Sequence, residues 1–134
     1  IVGVKDSSYN LYENLKIKNF SIMPGSELKL LKGLELGCDG IITATCNVTS
    51  SISRKVYDDF IKKKPQTANE MLCNIRNTFD QFNLISGLHS FLSDGNDIYK
   101  NLLPPLSILG DTDKKKLISE LNKLNFKIGS LKIG

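Results

Sequence analysis

Tryptophan is absent from this chain, histidine occurs once, and cysteine only three times in 134 residues. A single histidine, His89, and three cysteines (Cys38, Cys46, Cys73) with no Cys-x-x-Cys spacing make neither a zinc-ligand pattern nor a disulfide framework, so no metal site is expected. No apolar run is long enough to cross a bilayer and no signal-peptide pattern opens the chain, which together predict a reduced, cytoplasmic setting without a membrane partner. The net charge of +4 is small, and the lysines are scattered along expected helix faces. Their largest cluster, Lys62, Lys63 and Lys64 ahead of Pro65, suits a helix C-terminus, where cations complement the macrodipole. With only 7% aromatic residues and no aromatic-basic interleaving, nucleic-acid binding is not expected.

What is present is a strand-then-helix alternation. Ile1 to Val4 form a short β-rich run, after which Asp6, Ser7 and Ser8 offer helix-start chemistry ahead of Leu11, Tyr12 and Leu15 at helical spacing. The stretch FSIMPG reads as a second strand closed by Pro24 and Gly25. Ser26 follows as N-cap of a helix carrying Leu28, Leu31 and Leu34, which Gly37 would end. The β-branched stretch DGIITAT predicts a third strand, and Asn47 to Ser51 a polar loop before a helix through Val56, Phe60 and Ile61. Beyond Pro65 the strand signals stop. Helices are expected over Thr67–Phe82, Ile85–Leu92, Asp97–Leu103 and Thr112–Leu124, with the PPLSILGD segment as an extended connector.

Three βα units predict an α/β fold with a parallel sheet covered by helices. A closed parallel barrel needs roughly eight strands and about 250 residues, so the expectation is the C-terminal part of a (β/α)8 TIM barrel. Residues 1–64 would supply its last three βα units and residues 65–134 a C-terminal helical region. The missing N-terminal half of the barrel would be a required partner.

Lys5 stands out within this frame. Side chains alternate along a strand, so Val2 and Val4 are expected to pack beneath the helices while Lys5 points the other way, at the carboxyl end where such barrels keep their chemistry. Burial disfavours an ammonium, and a neutral amine can attack a ketone to form an imine. The alternative is a lysine that caps its strand and pairs with Asp6. Along the third strand, inward-facing Gly40 and Ile42 would leave room for a small ligand beside Lys5.

Three ordered motifs carry a resemblance: GVKDSS around Lys5, MPGSE after the second strand, and LGCDGIITATCNV at the third. The first 60 residues resemble the C-terminal half of the dihydrodipicolinate synthase and N-acetylneuraminate lyase superfamily of class I aldolases. The resemblance implies that Lys5 forms a covalent imine with pyruvate, with no separate cofactor. Gly25 and Ile42 would line the pyruvyl pocket, Thr43 would sit where the family often places a small hydroxylic residue or glycine, and Ser26, Glu27 and Ala44 would bear on the aldehyde partner. Ser26 and Glu27 also have the simpler reading of a helix cap and a first-turn acid, and Gly25 that of a turn residue with positive φ. The family pattern KDSSG is broken here by Tyr9 in place of glycine. The tyrosine that moves the proton and the loop that binds the substrate carboxylate belong to earlier strands of the family fold. Neither role falls to Tyr9, Tyr12, Tyr57 or Tyr99.

Within the superfamily, the tail lacks the Asn-Pro-x-Pro-x-Lys-like stretch of dihydrodipicolinate synthases, while PPLSIL resembles the proline-containing connector of archaeal-type 2-keto-3-deoxygluconate aldolases. The resemblance then implies a homotetrameric lyase that reversibly cleaves a 2-keto-3-deoxy sugar acid to pyruvate and glyceraldehyde, or the corresponding phosphates. Dihydrodipicolinate synthase and N-acetylneuraminate lyase activities are the alternatives within the family. A non-catalytic barrel remnant that binds a sugar acid or a partner protein is the alternative from another class. His89 lies in the helical tail and is expected at the surface or an interface.

Overall fold

A computed structural model describes residues 1–128 of the chain. They form a mixed α/β structure that divides into two compact units, Ile1–Cys73 and the residues from Asn74 onward. The last six residues of the expected C-terminal region lie outside the described residues.

In the first unit, strands β1 (Gly3–Asp6) and β2 (Ser21–Pro24) pair in parallel, with Lys5 opposite Met23 and Asp6 opposite Pro24. Gly3 permits the close approach of the pair, because a Cβ there would stand 2.8 Å from the Ser21 carbonyl oxygen. A 3-10 turn (Glu27–Lys29) leads into helix α1 (Leu30–Glu35), and α2 (Cys46–Ile61) follows. Ser26 caps the turn as expected, accepting from the Leu28 amide. Gly37 ends α1 at φ +89°; its amide bonds to Leu34 O and that of Cys38 to Gly33 O, the Schellman pattern that glycine permits.

Three expectations give way to local chemistry. No helix follows β1. The Asp6 carboxylate accepts the Leu11 and Tyr12 amides, and Tyr9 adopts φ +59°, so the segment closes as turns. Tyr9 thus holds a left-handed conformation that glycine would adopt without steric penalty. Without that helix Val2 is 80% exposed instead of packed, while Val4 is half-buried. The stretch DGIITAT is not a ladder strand: it runs beside β2 with the bond from Ile42 N to Pro24 O, and Gly40 takes φ +153°. The sheet of the described residues therefore has two strands rather than three. Asn47 to Ser51, expected as a loop, form the first turns of α2, and Asn47 ties that start down by donating from Nδ2 to Ala44 O.

Leu30 and Leu34 of α1 pack with Val56 of α2 and with Ala68 and Leu72, and Ile41, Ile52, Tyr57 and Phe60 close around them. Leu72 belongs to α3 (Asn69–Phe79), narrower at both ends than the expected Thr67–Phe82.

The second unit holds α4 (Leu84–Leu92) and α5 (Asp111–Lys123), both within a residue of expectation, while the expected helix at Asp97–Leu103 shrinks to a 3-10 turn, Asp97–Lys100. Phe91 meets Phe79 edge to face at 5.8 Å and stacks on Phe126 at 5.5 Å, with Leu117 and Leu121 fully buried. Lys114 of α5 pairs with Asp94 and donates to Ser93. His89 is half-buried and donates from Nδ1 to the Tyr99 carbonyl at 2.7 Å, which makes it a brace for the 3-10 turn.

Replacing Leu72 by alanine is expected to lower stability by about 2–5 kcal/mol, the range for emptying a closed aliphatic site. Denaturant unfolding of the variant beside the parent measures it, and a loss below about 0.5 kcal/mol, typical of surface sites, would contradict this core.

Candidate active site

The carboxyl ends of β1 and β2 come together through backbone bonds. The Gly25 amide donates to Asp6 O at 3.0 Å, and the Ile42 amide to Pro24 O at 3.1 Å. Lys5, Gly25 and Ile42 are thereby brought to neighbouring places on three successive segments. The closest approach is that of Lys5 to Gly25: a Cβ at Gly25 would lie 3.3 Å from Lys5 Cε and 3.5 Å from Asp6 O. Gly25 is not among the glycines of left-handed φ, so close approach to a lysine stem, rather than turn geometry, accounts for glycine there.

Lys5 itself is exposed, so the described residues do not supply the desolvation expected to favour its neutral amine. Nor is Asp6 available as a simple ion-pair partner. Its carboxylate, 1% exposed, accepts the Leu11 and Tyr12 amides through Oδ2 and the Ser8 hydroxyl through Oδ1. Burial pushes the Asp6 carboxyl up, but the bonds from Tyr12, Leu11, Ser8 and Tyr9 together outweigh it and hold the group below its ordinary value. Beneath it, burial and the bond to Glu13 push the Tyr12 phenol up to about 12.

Ile42 is 46% exposed, whereas its neighbour Ile41 packs onto the helical core, so the alternation expected for this segment survives without a ladder. Ser26 and Glu27 are both buried. The Ser26 hydroxyl caps the following turn, and Glu27, 0% exposed, accepts Thr43 Oγ1 on Oε2 at 3.0 Å and Thr49 Oγ1 on Oε1 at 2.9 Å. Thr43 also sits 3.0 Å from Thr45 Oγ1. Thr45 and Thr49 were not apparent as site residues from the sequence; the only signal was a hydroxyl four residues after another at a helix start.

Cys46 lies at the edge of this cluster, its Sγ 3.5 Å from Ser53 Oγ. Burial pushes its thiol up, as it does those of Cys38 and Cys73, and the Glu27 carboxylate adds to the effect at Cys46 and Cys73. All three are partly buried, and thiols raised in this way are weaker nucleophiles at neutral pH. A groove of about 360 Å³ beside Cys46 is lined by Asp39, Ile41, Cys46, Ser53, Arg54 and Tyr57 among others, and Lys5 is not part of its wall.

Two measurements check these electrostatics. A carboxyl lowered in the folded state contributes stability that is present above its unfolded value, near 3.8, and is lost as pH falls through the folded value. Asp6→Asn should therefore be less stable than the parent above about pH 4, with the gap narrowing as pH falls below that; a gap independent of pH would contradict the bonding described. At pH 7.5 the three cysteines of the native protein should react with a thiol reagent more slowly than a free cysteine peptide. Labelling at the peptide's rate would mean that they are not held as described.

Comparison with known proteins agrees with the three-motif resemblance. The model of the Dihydrodipicolinate synthetase family matches residues 1–124. A search of curated proteins found no match. Among solved structures, dihydrodipicolinate synthase DapA-2 from Bacillus anthracis superposes with a TM-score of 0.78 at 17% identity, over 91% of this chain and 44% of its own. A variant of Sulfolobus solfataricus 2-keto-3-deoxygluconate aldolase gives 0.80 at 21%, over 98% and 48%. A prophage protein of the dihydrodipicolinic acid synthase family from Escherichia coli K12, in complex with pyruvate, gives 0.70 at 21%, over 94% and 47%. The chain thus spans less than half the length of these structures and shares the fold of part of their barrels. No helix among the described residues is long and apolar enough to cross a membrane. With the family match covering nearly all of the described residues, the chain belongs to the dihydrodipicolinate synthetase family.

Proposed function

We propose that this chain carries the nucleophile of a class I pyruvate aldolase and works as part of a complete barrel. The observation that carries the reading is the passage of Lys5 Cε against Gly25 at the carboxyl end of a parallel strand, in a chain whose family match runs through both residues. The Lys5 amine attacks the keto carbon of a 2-keto-3-deoxy sugar acid, and loss of water leaves an imine. Protonated, the imine draws in the electrons of the C3–C4 bond as the C4 hydroxyl loses its proton, releasing an aldehyde and leaving an enamine. Protonation of the enamine and hydrolysis then release pyruvate and restore the amine. The acid/base group that moves these protons and the loop that holds the substrate carboxylate come from the other half of the barrel, and no metal or separate cofactor takes part.

Gly25 and Ile42 line the pyruvyl end in this reading, with Thr43 beside them. Ser26 and Glu27, both buried, bear on the aldehyde only through the loop they hold. A 2-keto-3-deoxygluconate substrate, or its 6-phosphate, is preferred on the PPLSIL connector and the absence of the proline-rich stretch; the superpositions rank synthase and aldolase alike. The assembly proposed is a cytoplasmic homotetramer.

The complete protein is incubated with pyruvate and borohydride, weighed intact and mapped by peptides. A single reduced pyruvyl adduct on Lys5 is expected, and none in Lys5→Ala. A folded complete barrel that gains no mass would favour the binding-only reading. Gly25→Ala should leave stability within about 1 kcal/mol, because its backbone tolerates a side chain and only the lysine stem must yield. The same change should slow trapping, and an unaltered trapping rate would remove Gly25 from the pocket.

A further inference from the structure

We propose that Glu27 and Thr49 are positioning residues for Lys5, setting the imine-forming geometry through the loop at Gly25 without touching substrate. This rests on the aldolase reading above. Glu27 stands two residues beyond Gly25, and its two oxygens are held by hydroxyls from different places: Thr43 in the extended segment after Gly40, and Thr49 in the second turn of α2. Thr45 completes the set by bonding Thr43. One buried carboxylate thereby ties the loop after β2 to both the 42–45 segment and α2.

Two backbone bonds pass that constraint on to the reacting side chain. Ile42 N–H to Pro24 O aligns the extended segment with β2, and Gly25 N–H to Asp6 O aligns the loop with the residue next to Lys5. Lys5 Cε then runs 3.3 Å from the place where a Gly25 Cβ would stand, close enough that a small shift of the loop alters the path of the amine. A buried carboxylate is a poor way to gain stability, since well-packed apolar residues commonly do as well or better. Its use here is to specify a geometry: hydroxyl-to-carboxylate bonds are directional, whereas apolar packing at the same place would let the loop slide. Glu27 is fully buried, which leaves it no surface to present to an aldehyde from this chain.

The test is the rate of borohydride-trapped imine formation with pyruvate in the complete protein, measured across pyruvate concentration and normalised to folded protein. Thr49→Val removes the hydroxyl and keeps the shape; Thr49→Ser restores it. The limiting trapping rate is expected to fall about tenfold in Thr49→Val, as small misplacements of a reacting group do. Half-saturating pyruvate should change less than about twofold, and Thr49→Ser should trap at close to the parent rate. A parent-like rate in folded Thr49→Val, or a Thr49→Ser as slow as the valine variant, would overturn the proposal. Should Thr49→Val not fold, Glu27→Gln serves in its place: it keeps the volume while setting an amide against a hydroxyl, and an unchanged rate there overturns the proposal equally. The absence of any adduct on Lys5 in the parent protein is a different result, which defeats the aldolase reading and this inference with it.

Discussion

A carboxylate removed from water must find its hydrogen bonds inside the protein or stay uncompensated at a cost of several kcal/mol. Glu27 is under that requirement, and much of the first unit is arranged to meet it. The hydroxyls that serve it lie 16 and 22 residues further along, one on an extended segment and one on a helix. They reach it only if β2, the segment after Gly40 and α2 take up their observed relation. Asp6 does the same on a smaller scale, gathering the amides of Leu11 and Tyr12 around the end of β1. The two acids organise the polar ends of the strands, while Leu30, Leu34, Val56 and Leu72 organise the apolar side.

Lys5 stands at the polar end of this arrangement. Its strand neighbours are fixed by the ladder with β2, and its Cε passes close to Gly25, where a side chain would stand 3.3 Å away. The same glycine has an unstrained backbone, so the absence of a side chain there serves the lysine rather than the turn. Tyr9 presents the opposite case. It keeps a left-handed backbone although it has a side chain, and Lys29 lies over its ring at 5.6 Å, a contact that offsets part of the penalty.

Much of the local structure around Lys5 was legible because its markers are local. A lysine at the end of a β-rich run, a Pro-Gly closing the next run and a serine cap after it each announce themselves within a few residues, and each stands in the element expected, although Lys5 is exposed rather than buried. The helices at Leu84–Leu92 and Asp111–Lys123 were legible for the same reason, since their apolar periodicity is local. Where a short-range pattern met a longer-range demand, the pattern lost. Leu11, Tyr12 and Leu15 have helical spacing, but the Asp6 carboxylate captures the amides that would begin the helix. Asn47 to Ser51 look like a polar loop, yet Val48 and Thr49 are buried, and the turn they belong to delivers a hydroxyl to Glu27.

The sequence by itself determined the family, through the resemblance carried by three ordered motifs, and it determined the strand that bears Lys5 and the helical character of the second unit, which rest on local alternation and capping. Only the tertiary structure decided what Glu27 does. From the sequence it is an acid in the first turn of a helix, equally suited to water, to a substrate or to a lattice of hydroxyls. Its burial, and the threonines that receive it, depend on segments distant in the chain meeting in space, and residue spacing holds no record of such a meeting.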